Sequence, residues 1–220
     1  MKKMKNFLQT LIYPRRCVFC QTFLDKNSFK DICPDCLERL PWTKNKCKSK
    51  GEFFSGCLSP LYYDGRAREA LIRFKFRHKP SYSRLMGELI ADCVREKGKP
   101  DYELITWVPI SLRRMRSRGY CQAKLLAAET AKHLDRDCLR LLKKRRHTPP
   151  QASISGRAAR KANVSGAFRA VDKERISGRS ILLIDDVITT GATLAECTRV
   201  LLMAGAKEVS CATLCKSTKD

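Results

Sequence analysis

The sequence predicts an α/β fold, a parallel sheet flanked by helices, with a small four-cysteine module towards the N-terminus. Three observations predict it. The first is the run Ile181-Leu182-Leu183-Ile184-Asp185-Asp186-Val187-Ile188-Thr189-Thr190-Gly191-Ala192-Thr193, followed by a helical stripe at Leu194, Cys197 and Leu201. An unbroken apolar stretch of this kind suits a strand buried on both faces of a parallel sheet. The second is a pair of CxxC motifs, Cys17-Val18-Phe19-Cys20 and Cys33-Pro34-Asp35-Cys36, separated by twelve residues. The third is charge, with 45 Lys and Arg against 22 Asp and Glu, a net +23 over 220 residues. A chain of this length accommodates one domain with a sizeable core and a smaller appendage.

Taken in order, residues 1–14 carry Lys2, Lys3 and Lys5, then Phe7, Leu8, Leu11 and Ile12 at the spacing of a short amphipathic helix. The apolar part is too short and too polar for a secretory signal, and no small-residue cleavage site follows. Nothing approaches eighteen consecutive apolar residues, so no transmembrane helix is implied. The expected location is cytoplasmic. In a reducing compartment the 12 cysteines are then metal ligands or buried small residues rather than disulfides. Cys17, Cys20, Cys33 and Cys36 offer four soft ligands to a tetrahedral ion, with zinc the leading candidate over an iron–sulfur cluster or a redox dithiol. Four thiolates leave no open coordination position, so the metal is structural. Cys47 and Cys57 are readable either as a degenerate second knuckle or as core residues. The module is expected over 15–60 and the larger domain over 61–220.

Beyond Pro60, Tyr62 to Gly65 reads as a strand end and turn, and 66–77 as a helix with Ala70, Leu71 and Phe74 on one face. Leu85, Met86, Leu89, Ile90, Cys93 and Val94 mark a core-facing helix that Gly98 and Pro100 end. Glu103 to Pro109 is a second strand. It empties into a basic loop, Ser111 to Gln122, and a helix follows from Ala123 to Leu134. A short strand over Cys138 to Leu142 leads to Lys143-Lys144-Arg145-Arg146-His147-Thr148-Pro149-Pro150-Gln151. From there to Asn163 the chain is basic and poor in large apolar residues, as in a long mobile loop of the lid type. A single His147 beside two prolines is more often solvated than catalytic. Met203-Ala204-Gly205 closes the helix of the central motif with a glycine cap, and Glu208 to Leu214 returns as a last strand.

The chemistry follows from residue types. Thr189, Thr190, Gly191 and Thr193 offer hydroxyls and free N–H groups at a helix N-terminus, an anion site. Asp185 and Asp186 repel that anion and so should face neutral hydroxyls, accepting their hydrogen bonds. A sugar phosphate has both parts. Arginines at a strand's carboxyl end, Arg113, Arg114, Arg116 and Arg118, add planar forks for phosphate oxygens. The overall charge favours a polyanion, nucleic acid first and an acidic membrane surface second, with a solvated surface as the plainer reading. Single-stranded DNA would meet Arg113, Arg114, Arg116, Lys143, Lys144, Arg145, Arg146, Arg157 and Arg160.

The central run resembles the phosphoribosyl pyrophosphate (PRPP) binding motif of type I phosphoribosyltransferases. The resemblance implies PRPP contacts at Asp185, Asp186, Val187, Thr189, Thr190, Gly191, Ala192 and Thr193, with the acids on the ribose and the loop on the 5′-phosphate. Together with the four-cysteine set, Arg118-Gly119-Tyr120-Cys121-Gln122, Thr148-Pro149-Pro150-Gln151 and Arg160-Lys161-Ala162-Asn163-Val164, it is similar to the ComF family over nearly the whole chain. The family usually has Asn at the position of Cys121, and many members carry further CxxC pairs. The likeness implies a phosphoribosyltransferase-like sheet and a role in DNA uptake during natural transformation. It also implies Arg118, Asp185 and Asp186 as the catalytic set, 147–163 as the mobile catalytic loop, and Mg²⁺ bound with PRPP. A nucleotide-salvage transferase and a PRPP-sensing regulator without catalysis are the alternatives.

Overall fold

Strand β8 (Ser180–Ile188) lies at the centre of a seven-stranded sheet. On one side it pairs with β4 (Leu104–Trp107), and β5 (Asp137–Cys138) lies beyond. On the other side it pairs with β9 (Glu208–Lys216), followed by β2 (Cys57–Leu58) and then β1 (Lys48–Ser49) at the edge. Strand β3 (Leu61–Tyr62) also pairs with β9. Every pairing is parallel except β1 with β2. The computed structural model describes residues 15–25, 28, 30–98, 102–149, 151 and 154–217, with the backbone alone for Arg157. The helix expected over 1–14 lies outside these residues. Among the described residues no helix is long and apolar enough to cross a membrane.

The unbroken apolar run of β8 is explained by two cores, one on each sheet face. Leu182 and Ile184 point to the first, with Leu71 and Phe74 of α2 (Gly65–Phe76), Met86 and Ile90 of α3 (Ser83–Lys97) and Leu126 of α5 (Gln122–Leu134). Ile181 and Leu183 point to the second, with Leu194, Cys197 and Leu201 of α8 (Ala192–Met203). Successive side chains of a strand alternate between faces, so a strand covered on both sides is apolar at every position. Gly87 lets α3 and α5 approach closely. A Cβ there would lie 2.5 Å from the Glu129 Cβ and 3.2 Å from the Leu126 carbonyl oxygen.

Three segments differ from the sequence reading. The stretch after β4 is helical, not a loop: α4 (Leu112–Arg118) starts where the Ser111 hydroxyl accepts from the Arg114 N–H and ends at Gly119, whose φ is +76°. Arginine is a good helix former, and a cap at each end suffices for a short helix. The expected strand over Cys138 to Leu142 is split between β5 in the main sheet and β6 (Leu142–Lys144), which pairs antiparallel with β7 (Phe168–Ala170). The Leu141 N–H bonds to Thr106 Oγ1, and the chain leaves the sheet there. The expected loop 147–163 ends in a helix, α6 (Arg157–Val164), rich in alanine, with Val164 buried in the second core. A short helix, α7 (Lys173–Ile176), then leads into β8. Cys47 and Cys57 are both buried, Cys57 within β2, so they are core residues here.

Ahead of the sheet, Cys17 and Cys20 sit on a turn, while Cys33 caps α1 (Pro34–Arg39) by accepting the Cys36 N–H on its sulfur at 3.4 Å. The four Sγ atoms lie within 4.8 Å of one another, and the Cys20 and Cys33 sulfurs are 3.5 Å apart. Tetrahedral zinc with Zn–S bonds of about 2.3 Å needs sulfurs roughly 3.8 Å apart, so this set fits. Arg66 of α2 donates to Cys36 Sγ at 3.3 Å and pairs with Asp35, and Arg73 donates to the Val18 and Phe19 carbonyls. The metal-binding turn is therefore fastened to the helix that borders the cleft described next. Freshly purified, reduced protein should carry about one zinc per chain, since one set of four thiolates binds one ion. Cys36→Ser should lose it and leave residues 15–47 open to protease; zinc-free wild-type protein by elemental analysis would refute the assignment.

Candidate functional site

The carboxyl end of β8 delivers Asp185, Asp186 and Val187 into a cleft of about 330 Å³. Crossing from strand to helix takes only residues 189–191, because Gly191 turns the chain with a φ of +74° as the N-cap of α8. Most side chains are strained at that φ. The Phe54 ring lies 3.7 Å from where a Gly191 Cβ would be, so the turn is also braced from outside. Thr189 and Thr193 line the cleft at the first turn of α8, where free N–H groups favour an anion.

The two carboxylates differ. Asp186 Oδ1 accepts from Lys75 Nζ at 2.7 Å, with both side chains largely buried. Burial lowers the Lys75 pKa, but the adjacent Asp186 more than offsets it and the net shift is upward. Among the described residues no cation is hydrogen-bonded to Asp185; its Oδ1 accepts the Asp186 N–H at 2.8 Å. Burial, with the Asp186 charge beside it, pushes the Asp185 carboxyl up to about 7. Of two adjacent acids, one is held by an ammonium and the other by its proton.

The opposite wall is cationic. Arg114 and Arg118 enter from α4, Lys144 from β6, and Arg160 from α6. Lys144 Nζ donates to Thr148 Oγ1 at 2.8 Å, and Arg114 to the Thr148 carbonyl at 2.9 Å. Burial pushes the Lys144 amine down to about 8, helped by the Arg114 charge. Burial, then Arg118, lowers Arg114. Among the described residues these cations have no carboxylate partner within hydrogen-bond reach in the cleft wall, as suits groups awaiting an anion. The 147–163 segment closes over the Thr loop: Gln151 Nε2 donates to Thr193 Oγ1 at 3.3 Å, and Asn163 Nδ2 to Gln151 Oε1 at 3.3 Å. His147 stands outside, exposed, with Nδ1 at 2.9 Å from Ser111 Oγ.

The structure thus brings Arg118, Asp185, Asp186, Val187, Thr189 and Thr193 into one cleft, with Thr190, Gly191 and Ala192 on the adjoining turn. It divides the basic residues grouped in the sequence. Arg114, Lys144 and Arg160 line the cleft, whereas Arg113, Arg116, Lys143, Arg145 and Arg146 are exposed. Arg146 braces the loop through the Asn163 and Ser165 carbonyls. Arg157 opens α6. Cys121 is buried and is not among the residues that line the cleft; its thiol reaches the carbonyl of Val108, which is, at 3.8 Å. Sequence reasoning missed Lys75, Phe76 and Gln122 in the cleft. The only available signal for Lys75 was a charge set between two phenylalanines, and its partner is 111 residues away.

A phosphoribosyl transferase domain model matches residues 122–220, and a double zinc ribbon domain model matches residues 8–65. Competence protein F of Haemophilus influenzae is 31% identical over 88% of this chain and 93% of its own. DNA utilization protein YhgH of Salmonella typhi is 33% identical over 84% of each chain. Competence protein ComFC of Bacillus subtilis is 28% identical over 70% of this chain and 62% of its own. Among solved structures, the glutamine PRPP amidotransferase of B. subtilis aligns with 64% of this chain and 30% of its own, at 20% identity and a TM-score of 0.43. The fold is the phosphoribosyltransferase type of α/β sheet, joined to a zinc ribbon whose four-cysteine cluster suits a structural zinc. The chain belongs to the ComF family, that of Competence protein F and its relatives.

Unfolded, Asp185 ionises near the ordinary value of 3.8; folded, it stays protonated to about 7. Its contribution is therefore fully present below 3.8, and stability falls as pH rises through 7. Asn mimics the protonated form. Urea unfolding of Asp185→Asn should show little change at about pH 4 and a clear gain over wild type at about pH 8, on either side of the folded midpoint. A gain independent of pH would contradict the buried, unpaired carboxyl.

Proposed function

We propose that the chain binds PRPP in this cleft and acts in DNA uptake, holding single-stranded DNA on its exposed basic surface. The observation that carries the reading is the division of one cleft into three parts suited to one ligand. Asp185 and Asp186 accept from the ribose 2′- and 3′-hydroxyls. The loop Thr189 to Thr193 and the first turn of α8 hold the 5′-phosphate. Arg114, Arg118, Lys144 and Arg160 face the pyrophosphate.

Asp186 is fixed by Lys75 before any ligand arrives, so ribose recognition does not require reorganisation there. Asp185 is different. Accepting a hydroxyl favours its ionised form, so ligand binding relieves a carboxyl that burial keeps protonated. In a displacement at the anomeric carbon, the protein's part is to position the ribose and neutralise charge on the departing pyrophosphate. Asp185 and Asp186 would offer hard oxygen donors to a Mg²⁺ bound with PRPP, which would add to the neutralisation of charge there. The segment carrying Gln151 and Arg160 is placed to exclude water once the phosphate is seated.

The names of the relatives, Competence protein F and DNA utilization protein, support the DNA role. So does the net charge of +23, which exceeds what one pyrophosphate requires. The arginines outside the cleft, Arg113, Arg116 and Arg145, are placed to meet backbone phosphates. In this reading residues 15–60 form the zinc module and 61–220 the PRPP domain, with β1 and β2 lending strands to its sheet.

Calorimetry with PRPP and Mg²⁺ should show binding that weakens tenfold or more in Asp185→Asn. Losing a hydrogen bond to a charged group costs about 1.5–3 kcal/mol. Anisotropy of a labelled single strand should give a log K that falls with log salt by about 0.7 per contacted phosphate. Arg113→Ala with Arg116→Ala and Arg145→Ala should flatten that slope by roughly two units, the sum of three such increments, and leave PRPP affinity intact. Unchanged PRPP affinity in folded Asp185→Asn would remove the ligand assignment, and negligible DNA affinity at low salt would remove the DNA role.

A further inference from the structure

We propose that Lys75 is the resident cation of the acid pair. It readies the ribose end of the cleft for a sugar phosphate without a metal ion, and it keeps a free divalent ion off the carboxylates until a pyrophosphate carries one in. The ligand comes from the PRPP reading, on which this rests; the role of the cation comes from the setting of Lys75 itself.

Lys75 is held in place by its own helix. Phe74, just before it, is fully buried in the core. The Tyr120 hydroxyl donates to the Phe74 carbonyl, and its ring packs on Phe74 with centroids 5.7 Å apart, which pins the end of α2. One position along a helix turns a side chain by about 100°. Lys75 therefore leaves the core side and lines the cleft with Tyr63, Asp185 and Asp186. The last turn of a helix also favours a cation, because its carbonyls carry the negative end of the dipole. The Lys75 side chain is 18% exposed and that of Asp186 16%, with Nζ at 2.7 Å from Oδ1. A lysine on an open surface samples many rotamers, but this one has lost that freedom on folding. Its charge is in position before a ligand arrives.

An ammonium carries three donors. Among the described residues one of those on Lys75 has an acceptor, Asp186 Oδ1, so the others are open to oxygens of a ligand in the cleft. A ribose hydroxyl suits both groups at once, donating to a carboxylate while accepting from the amine. The same charge works against a metal. A divalent ion on Asp186 would stand close to the ammonium, in a largely buried setting where like charges repel strongly. Mg²⁺ also demands near-octahedral oxygen ligands and is usually held by carboxylates together with substrate phosphates. A free ion at these acids would meet an ammonium in place of an oxygen. PRPP differs, because its pyrophosphate brings oxygens and negative charge of its own. Acids that hold a metal by themselves gain nothing from an ammonium on one of their oxygens, whereas acids that hold hydroxyls do.

The test uses full-length, zinc-loaded protein, with ribose 5-phosphate and Mn²⁺ as separate probes. Ribose 5-phosphate carries the hydroxyls and the 5′-phosphate without a pyrophosphate, so it reports on this end of the cleft alone. By calorimetry, wild type should bind it equally with Mg²⁺ and in buffer freed of divalent ions, within about twofold, a difference under about 0.5 kcal/mol. Lys75→Met should bind it about tenfold or more weakly without Mg²⁺, because Asp186 is left without its cation, and Mg²⁺ should restore part of the loss. Lys75→Arg should keep the metal-independent binding. With Mn²⁺ alone, followed by electron paramagnetic resonance, Lys75→Met should bind about tenfold more tightly than wild type once the like charge is gone. Asp186→Asn in that background should remove the gain. Thermal unfolding checks the fold, and Lys75→Gln, which removes the charge and keeps a donor, serves if Lys75→Met does not fold. Absence of both PRPP and ribose 5-phosphate binding in wild type would be a failure of the PRPP reading alone, with Lys75 then judged on Mn²⁺. Ribose 5-phosphate that binds wild type only with Mg²⁺, or not at all where PRPP binds, would overturn the proposal. So would Mn²⁺ binding that is unchanged when the charge of Lys75 is removed.

Discussion

Two adjacent carboxylates at the end of a buried strand form a constraint on which the rest of the cleft depends. At interior distances two like charges repel strongly, so one needs a cation or a proton. Lys75 supplies the cation to Asp186, and Asp185 keeps the proton to about 7. Lys75 can do this only if the end of α2 is held against the carboxyl end of the sheet. Ala67, Ala70, Leu71 and Phe74, all fully buried, hold it there. Breaking such a pair by removing one partner would leave a buried charge uncompensated, typically a loss of about 3–5 kcal/mol. The pair therefore couples the first core to the acid end of the site.

The phosphate end has a separate support. The loop 51–56 crosses from β1 to β2, bonds to β9 through the Ser55 N–H and the Gly56 carbonyl, and sets Phe54 against Gly191. Glu52 on that loop pairs with Lys161 of α6 at 2.8 Å. One short loop thus touches both the turn that would hold a phosphate and the helix that closes over it. The zinc ribbon reaches the acid end by another route, through Arg66 and Arg73 of α2. Residues 15–58 thus support both ends of the cleft, through the cysteine turns on α2 and the 51–56 loop on Gly191.

Local patterns in the chain made the fold class, the central strand and the four-cysteine set legible. Four apolar residues before two acids report burial on both faces without any partner being known. Twin CxxC turns report their own ligand. What was not legible depends on pairing at a distance. Lys75 reads as one more cation on an amphipathic helix until the sheet brings Asp186 to it. The basic runs read as one surface because charge alone does not say which way a side chain turns. Helix α4 then sends Arg114 and Arg118 inward and leaves Arg113 and Arg116 outside. Its helicity was hidden by the absence of an apolar stripe, and that of α6 by the same lack over Arg157 to Asn163. In both, caps and alanine or arginine propensity decide the local structure.

The most direct measurement is the titration of the Asp185 side-chain carboxyl by carbon NMR, in the free protein and with PRPP and Mg²⁺ added. In the free protein Asp185 should titrate near 7, with the neighbouring Asp186 held by Lys75. Adding PRPP should move the Asp185 midpoint down, because a hydroxyl donated to the carboxylate favours its charged form. An Asp185 midpoint near the ordinary value of 3.8 in the free protein, or one that PRPP leaves unmoved, would contradict the assignment of this strand end as a ribose site.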